Sequence, residues 1–386
     1  MSLRLKPLER PVVGLSAGVL DARRHCGRVD GIGIYTRALE RSLPSCGFAP
    51  RRVDGPTVSG LRVLLPNPEG LAFGIPIATG IAASRLFGIA MPGASSVEAA
   101  IDIYHATDYL VPPLRRTPIV ATIHDAIPLA HPEWARARLR ALKNWILRSA
   151  VPRADLVITY AHAIVPDIIE HYGVSPERIR VIPGGVDATW FAPRPAASVE
   201  ATLVRFGLRR GYFLFVGTLQ PRKNLRTLLD AYDRLGRHVR EERQLVIVGR
   251  DGWGVEALVR ELRARNADGH SRWLDYVDEE ALRDLYAGAG LFVTPSLGEG
   301  FGLPLLEALA SGLAVVATDL PVFREVAGTF AIYAAPSEAS ALAHALMHAA
   351  NSPPDPAGSA ARRAYASQFD WAAIAARTAA VYRELL

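Results

Sequence analysis

Two carboxylates and three glycines share one short run of this chain. Ser296 to Ala310 reads S-L-G-E-G-F-G-L-P-L-L-E-A-L-A, with Glu299 inside the turn marked by Gly298, Gly300 and Gly302, and Glu307 beyond it. An apolar stretch ends near Pro295, and Pro304 suits the first position of a helix, where a missing N–H costs nothing. Glycines let backbone approach a ligand closely, and the open N–H groups of a helix start attract anions. A carboxylate in the first helical turn also stabilises the helix dipole, which is reason enough for Glu307 taken alone. Two carboxylates flanking such a turn point to a polyhydroxylated ligand, held by the carboxylates with its phosphate on the amides.

Other candidates are weaker one by one. Val216 to Leu225, V-G-T-L-Q-P-R-K-N-L, ends a strand at Gly217-Thr218 and sets Arg222 and Lys223 before a helix. Two cations there fit a diphosphate, although for two charges in isolation a solvated turn is the better account. His124, in A-T-I-H-D, can donate to a sugar hydroxyl or support developing charge, and a histidine there also serves structure. Gly31-Ile32-Gly33 precedes a helix near Tyr35, but Thr36 occupies the third glycine position of the dinucleotide fingerprint and the first strand lies too far upstream. No D-x-D pair occurs anywhere, so the usual carboxylate clamp for a divalent metal is missing.

These residues need a scaffold. Short apolar strands alternate with amphipathic helices, the pattern of parallel α/β sheets. In the first half, strands are expected at residues 11–15, 118–123, 156–159 and 179–182, with a helix at 33–43. The second half repeats the alternation: strands 212–216, 244–248, 291–294 and 314–317, with helices 224–235, 279–287 and 304–310. A last helix is expected over 371–386, after a loop at 351–358. Two doubly wound sheets bind ligands beyond the carboxyl ends of their strands.

Composition narrows the class. The 386 residues are 50% hydrophobic, too apolar for disorder and long enough for two domains. Two cysteines, Cys26 and Cys46, make no disulfide framework and no zinc spacing. The start M-S-L-R-L-K-P lacks a signal-peptide core, so a cytoplasmic location is expected. Leu71 to Met91 is apolar but broken by Gly74, Pro76, Gly80, Arg85 and Gly88, which argues against a span and leaves open a buried helix or one lying on a membrane. The net charge of +6 suits nucleic acid, anionic lipid or phosphorylated small molecules, or reflects an Arg-rich coding bias. Trp134 to Arg153 carries Arg136, Arg138, Arg140, Lys143, Arg148 and Arg153 among apolar residues and reads as a basic amphipathic helix, membrane-facing or packed on its own sheet. No RNA- or DNA-binding module is visible.

The spacing of Glu299 and Glu307 resembles the E-x7-E motif of retaining glycosyltransferases with the GT-B fold. The runs Trp273 to Val326, V-G-T-L-Q-P-R-K-N-L, A-T-I-H-D-A-I-P, R-V-I-P-G-G-V-D and D-G-I-G-I-Y-T-R are colinear with family 4 of that class. Within it, the likeness is to bacterial mannosyltransferases of lipopolysaccharide or capsule synthesis. The resemblance implies that Glu307 holds the donor ribose, while Glu299 and the amides of Gly300, Phe301, Gly302 and Leu303 hold the donor sugar and phosphates. It implies that Lys223, helped by Arg222, neutralises the leaving diphosphate, that Gly31 and Gly33 approach that diphosphate, and that His124 lies beside the sugar. Gly217 and Thr218 belong to the donor loop, and Gly249 and Val277 border the base. Thr218 stands where many relatives have Arg, Ile34 where many have a polar residue, and Tyr160-Ala161 where Ser-Glu is usual.

The expected fold is α/β: two facing doubly wound Rossmann-like domains with a cleft between them. Residues 1–192, with a returning helix 370–386, form the acceptor side and 193–369 the donor side. The expected enzyme is a metal-independent retaining hexosyltransferase without a cofactor, moving mannose from GDP-mannose to a lipid-linked or saccharide acceptor in surface polysaccharide synthesis. It would be cytoplasmic, peripheral on the inner membrane face, with no nucleic-acid partner. The rivals are a UDP-sugar donor, a non-catalytic partner of the same fold, and a nicotinamide-dependent dehydrogenase, which the absence of a G-x-G-x-x-G directly after a strand disfavours.

Overall fold

A computed structural model describes residues 10–20, 31–59, 62–65, 70–134, 139–353 and 355–386. They divide into two compact units. The first runs to Ala130, resumes at Ala137–Gly185 and takes back Trp371–Leu386, and the second is Val186–Asp370 with a short stretch from His131.

The first unit holds a seven-stranded sheet: β1 (Val12–Ser16), β2 (Ala49–Asp54), β3 (Leu71–Ala72), β4 (Ile103–Ala106), β5 (Ile119–Thr122), β6 (Leu156–Thr159) and β7 (Ile179–Val181). All pairs are parallel, in the order β3-β2-β1-β4-β5-β6-β7. β4, β5 and β6 are buried along their whole length, as strands covered on both faces are. The helices that matter below are α1 (Gly31–Ser42), α2 (Ile77–Phe87), α3 (Arg140–Ala150) and, returning at the C-terminus, α8 (Trp371–Arg383).

The second unit repeats the plan with six parallel strands. They are β8 (Phe213–Val216), β9 (Leu245–Val248), β10 (Ser271–Leu274), β11 (Leu291–Thr294), β12 (Ala314–Thr318) and β13 (Ala331–Ala334), in the order β10-β9-β8-β11-β12-β13. Its helices include α4 (Leu225–Asp233), α5 (Glu279–Gly288), α6 (Leu303–Ala310) and α7 (Pro356–Ala366). Leu225, Leu228, Leu229 and Tyr232 fall at helical spacing on α4 and pack with Phe213, Phe215, Leu245 and Ile247 of β8 and β9. Strand order reverses beside the first strand in both sheets, at β1/β4 and at β8/β11. That is where doubly wound sheets place ligands.

Several expectations need correction. β2, β3, β4, β10 and β13 escape a search for apolar runs. β2 is A-P-R-R-V-D with exposed Arg51 and Arg52, β3 has only two residues, and β10 opens on Ser-Arg. The basic helix begins at Arg140: Pro132–Trp134 is a separate turn, and Arg136 and Arg138 lie outside the described residues, as does Cys26. Leu71 to Met91 is no single helix, because Gly74 and Pro76 separate β3 from α2. Within the expected loop at 351–358, Ser352, Pro353 and Asp355 lie outside regular structure and α7 already starts at Pro356, where Asp355 caps it by accepting from Gly358 N at 2.7 Å.

The units divide between Gly185 and Val186, a little before the boundary after residue 192 read from sequence. Val186 N donates to Phe369 O at 2.9 Å, so the chain's two passages between the units run side by side. Gly185 is held by close packing: a Cβ there would lie 2.5 Å from Cδ2 of Trp371. Gly185→Ala is therefore expected to cost about 1–3 kcal/mol by overpacking. A denaturant midpoint unchanged from wild type would show instead that Trp371 shifts aside freely.

Candidate functional site

The second unit gathers its polar residues at the β8/β11 switch point. The loop after β8 carries Gly217, Thr218, Arg222 and Lys223, and the loop after β11 carries Ser296 to Gly302 and feeds α6. Backbone bonds tie the two loops: Leu297 N donates to Arg222 O at 2.7 Å, and the Asn224 side chain donates to Pro295 O at 3.1 Å.

Glu299 sits at the centre, its side chain 7% exposed. Arg222 Nη1 donates to its Oε2 at 2.6 Å, Lys223 Nζ to its Oε1 at 2.5 Å and Ser296 Oγ to the same Oε1 at 2.7 Å. Burial alone would push this carboxyl up. The charges of Arg222 and Lys223, with the hydrogen bonds from Lys223 and Ser296, outweigh burial and hold it at about 2. Lys223 is itself 9% exposed, and Arg222 also donates to Gly298 O at 2.9 Å. A negative oxygen pair thus already occupies the space between two cations.

The helix start beside this cluster has no side-chain cap: Gly302 is its N-cap at φ +99°, and Pro304 takes the second helical position rather than the first. Gly302 is required twice over, since that φ is left-handed and a Cβ would meet the Phe323 ring at 2.8 Å. Leu303 opens α6, and Phe301 is buried with its ring edge-on to Phe369. Gly300 lies in the connecting turn.

Glu307 is the fifth residue of α6, just beyond the first turn where the sequence reading places it. Tyr286 Oη lies 3.2 Å from its Oε2 and 3.2 Å from Pro304 O, the one hydroxyl hydrogen shared between the two acceptors. Burial pushes its carboxyl up to about 7, against the pull of the Tyr286 hydrogen bond, and Glu279 adds to the rise. The two glutamates of one motif are therefore opposite in character, one permanently charged and one poised to titrate near neutrality.

Gly249 has a structural task. At φ +147° after β9 it brings its chain so close that a Cβ would lie 2.0 Å from Gly217 O. Trp273 Nε1 donates to Gly249 O at 2.8 Å. Val277 is buried in the loop between β10 and α5.

The first unit has its own polar cluster. His124, following β5, is 8% exposed, and its Nε2 lies 2.8 Å from Thr107 O. A carbonyl only accepts, so that nitrogen carries the hydrogen. Thr107 also links to α1: Thr36 Oγ1 donates to Thr107 Oγ1 at 2.8 Å, and Thr107 Oγ1 to Ser16 O at 3.0 Å. Gly33 is buried in the first turn of α1, and Gly31 is exposed at its start. Tyr160, given no role from sequence, packs on His124 with centroids 5.1 Å apart, and Tyr35 and Tyr109 meet it edge-on.

Sequence reasoning missed Ser296, Thr36 and Thr107. Single hydroxyls leave no spacing to find. Among the described residues, no group of three or more His, Cys, Asp or Glu is placed to hold a metal ion, and no helix is long and apolar enough to cross a membrane.

Residues 29–190 match the glycosyltransferase family 4 and residues 205–366 the glycosyl transferases group 1. The chain is 32% identical over 286 residues to O-antigen chain mannosyltransferase B of Escherichia coli, covering 73% of this chain and 74% of that one. It is 29% identical to the MMP alpha-(1->4)-mannosyltransferase of Mycolicibacterium hassiacum, over 95% of this chain and 96% of that one. Among solved structures, a sucrose-phosphate synthase from Thermosynechococcus elongatus superposes with a TM-score of 0.71 at 20% identity, over 97% of this chain and 99% of that one. With two Rossmann-like units carrying an E-x7-E site at the second switch point, the chain belongs to the family 4 glycosyltransferases of GT-B fold.

Proposed function

We propose that this glycosyltransferase moves a hexose, mannose in our reading, from a nucleotide diphosphate sugar to a lipid-linked or saccharide acceptor in surface polysaccharide synthesis. GDP-mannose is the favoured donor, and the names of the two mannosyltransferase relatives support mannose as the sugar. The observation that carries the reading is the Arg222–Glu299–Lys223 cluster beside an uncapped helix start.

Breaking a sugar–phosphate bond leaves negative charge on the departing diphosphate and positive charge on the ring. Cations and helix-start amides fixed in advance stabilise the first without reorganising. Arg222, Lys223 and the amides of Gly300 to Leu303 take that role in our scheme, with no metal and no cofactor. Glu299 holds sugar hydroxyls and Glu307 the ribose hydroxyls. Gly31 and Gly33 approach the diphosphate, and His124 lies beside the transferred sugar. Retention follows from attack on the face the donor phosphate leaves: the C1–O bond to phosphate breaks, the C1–O bond to the acceptor forms, and the phosphate oxygen takes the acceptor's proton. A lipid-linked acceptor would place the enzyme on the inner face of a membrane.

Calorimetric titration with GDP, UDP, ADP and their sugar conjugates, with and without magnesium, tests the class and the donor together. Tight binding of guanine conjugates without metal is expected. Tight binding of the uridine series would replace the donor, and no binding of any would sink the reading.

The occupied cation pair gives a sharper expectation. Nucleoside diphosphate must displace Glu299 from Arg222 and Lys223, so Glu299→Gln should bind GDP several-fold more tightly while losing about 10²–10³ in turnover. Equal or weaker GDP binding by the variant would show that the carboxylate does not compete. For Glu307 the sign is set by its raised carboxyl, protonated below about 7 and charged above it. A charged carboxylate is the better acceptor for ribose hydroxyls, so nucleotide affinity should rise from pH 6 to pH 8. Glu307→Gln should flatten that rise. An equally steep rise in the variant would assign the titration elsewhere.

A further inference from the structure

Ten large hydrophobic side chains are exposed among the described residues, and five of them belong to one pair of packed helices in the first unit. Leu86 is 63% exposed, Phe87 72% and Ile89 54%, at the C-terminal end of α2 and the turn after it. Leu139 is 62% exposed and Leu142 48%, at the N-terminal end of α3. The remaining five are scattered singly along the chain, at Ile34, Leu65, Val204, Tyr276 and Leu386, as on any soluble surface.

The charge around the pair has one sign. Residues 77–92 and 139–153 contain no Asp or Glu, but they carry Arg85, Arg140, Lys143, Arg148 and Arg153. Arg85, Lys143 and Arg148 are exposed. Exposed Arg115 reaches the same turn, its Nη2 donating to Gly88 O at 3.3 Å, and exposed Arg116 adjoins it. Glu98, the carboxylate beside them, is engaged by the backbone N–H groups of Arg115 and Arg116 at 2.6 and 2.7 Å. Arg153 lies near enough to Arg85 for that charge to add to burial in lowering its pKa, so these two cations crowd each other. A surface that needed only solubility would intersperse both signs and keep phenylalanine inside. Apolar tips set among cations are the chemistry of insertion into an anionic interface.

We infer that the α2–α3 face, led by Leu86, Phe87 and Ile89 within the ring of Arg85, Arg115 and Arg116, docks this enzyme on an anionic lipid bilayer. The inference deepens the membrane location in the reading above, and its test is separate from donor binding. A bilayer is favoured over a protein partner because the apolar residues are tips at helix ends. Their cationic rim has its complement in lipid phosphate.

The test is co-sedimentation of the full chain with phosphatidylcholine vesicles, with and without phosphatidylglycerol. Wild type should bind only the phosphatidylglycerol vesicles, less so as salt rises. The triple variant Leu86→Ser, Phe87→Ser, Ile89→Ser and the double variant Arg85→Glu, Arg115→Glu should each lower binding about tenfold or more. Both change exposed positions, so circular dichroism and GDP titration should match wild type. Vesicle binding that is absent in wild type, or unaffected in both variants, overturns the inference. So does concentration-dependent self-association without lipid that the triple variant abolishes, which would assign the face to a second copy. Lost GDP binding by wild type would count against the proposed function and leave this result readable.

Discussion

The buried carboxylate of Glu299 organises the second unit's site. An isolated charge at 7% exposure would be costly, and here it is met by Arg222, Lys223 and Ser296 together. The cations in turn need the anion, since Lys223 is nearly as buried. Meeting that demand fixes where two loops from non-consecutive strands must lie. Leu297 and Asn224 stitch them, Gly249 gives the room for β9 to press on Gly217, and Gly302 aims α6 from the same turn. The site is thus preorganised electrostatically before any ligand arrives. The arrangement also means that an incoming anion meets cations that already carry a resident carboxylate.

The first unit solves a different problem. His105 is fully buried between Thr122, at 2.8 Å from Nε2, and Tyr382, at 2.6 Å from Nδ1. Burial, with the nearby His124 adding a little, pushes it down to about 3, so it remains neutral at ordinary pH. Thr122 also bonds the Tyr35 hydroxyl at 2.9 Å. This string ties β4, β5, α1 and the returning α8 into one polar core whose members satisfy one another. The last helix of the chain is therefore a structural member of the first unit, joined to it by hydrogen bonds and by Trp371 against Gly185.

The alternation of apolar strands and amphipathic helices was readable because central parallel strands are buried on both faces and leave unbroken apolar runs such as I-V-A-T and L-V-I-V. The E-x7-E run was readable because its residue types and spacing have few other uses. What stayed hidden was set by tertiary context. Arg51 and Arg52, adjacent and both exposed, disguise a strand that has no apolar run, and Ser-Arg-Trp-Leu becomes a strand only against β9. The divergent behaviour of Glu299 and Glu307 could not be seen either, because cations seventy-odd positions upstream serve one and a tyrosine hydroxyl serves the other. Thr36 and Thr107 matter through where their hydroxyls point, which no spacing encodes.

The excess positive charge gains a location once ion pairs are drawn. In the second unit arginines are matched: Arg194 with Asp284 and Glu280, Arg226 with Glu261, Arg265 with Asp233 and Glu261, Arg324 with Asp319. Such pairs are local and mostly exposed, so each adds little stability while cancelling the far field. The α2–α3 face has no acidic residue of its own to do this. A net charge that could have signalled nucleic acid, lipid or only base composition therefore resolves unevenly. In the second unit many arginines have a carboxylate beside them, whereas the α2–α3 face of the first carries cations with no acidic residue of its own, where a field can act on a surface much larger than a substrate. The cations of the α2–α3 face and those of the β8/β11 loops are thus separate sets, carried by different units of the chain.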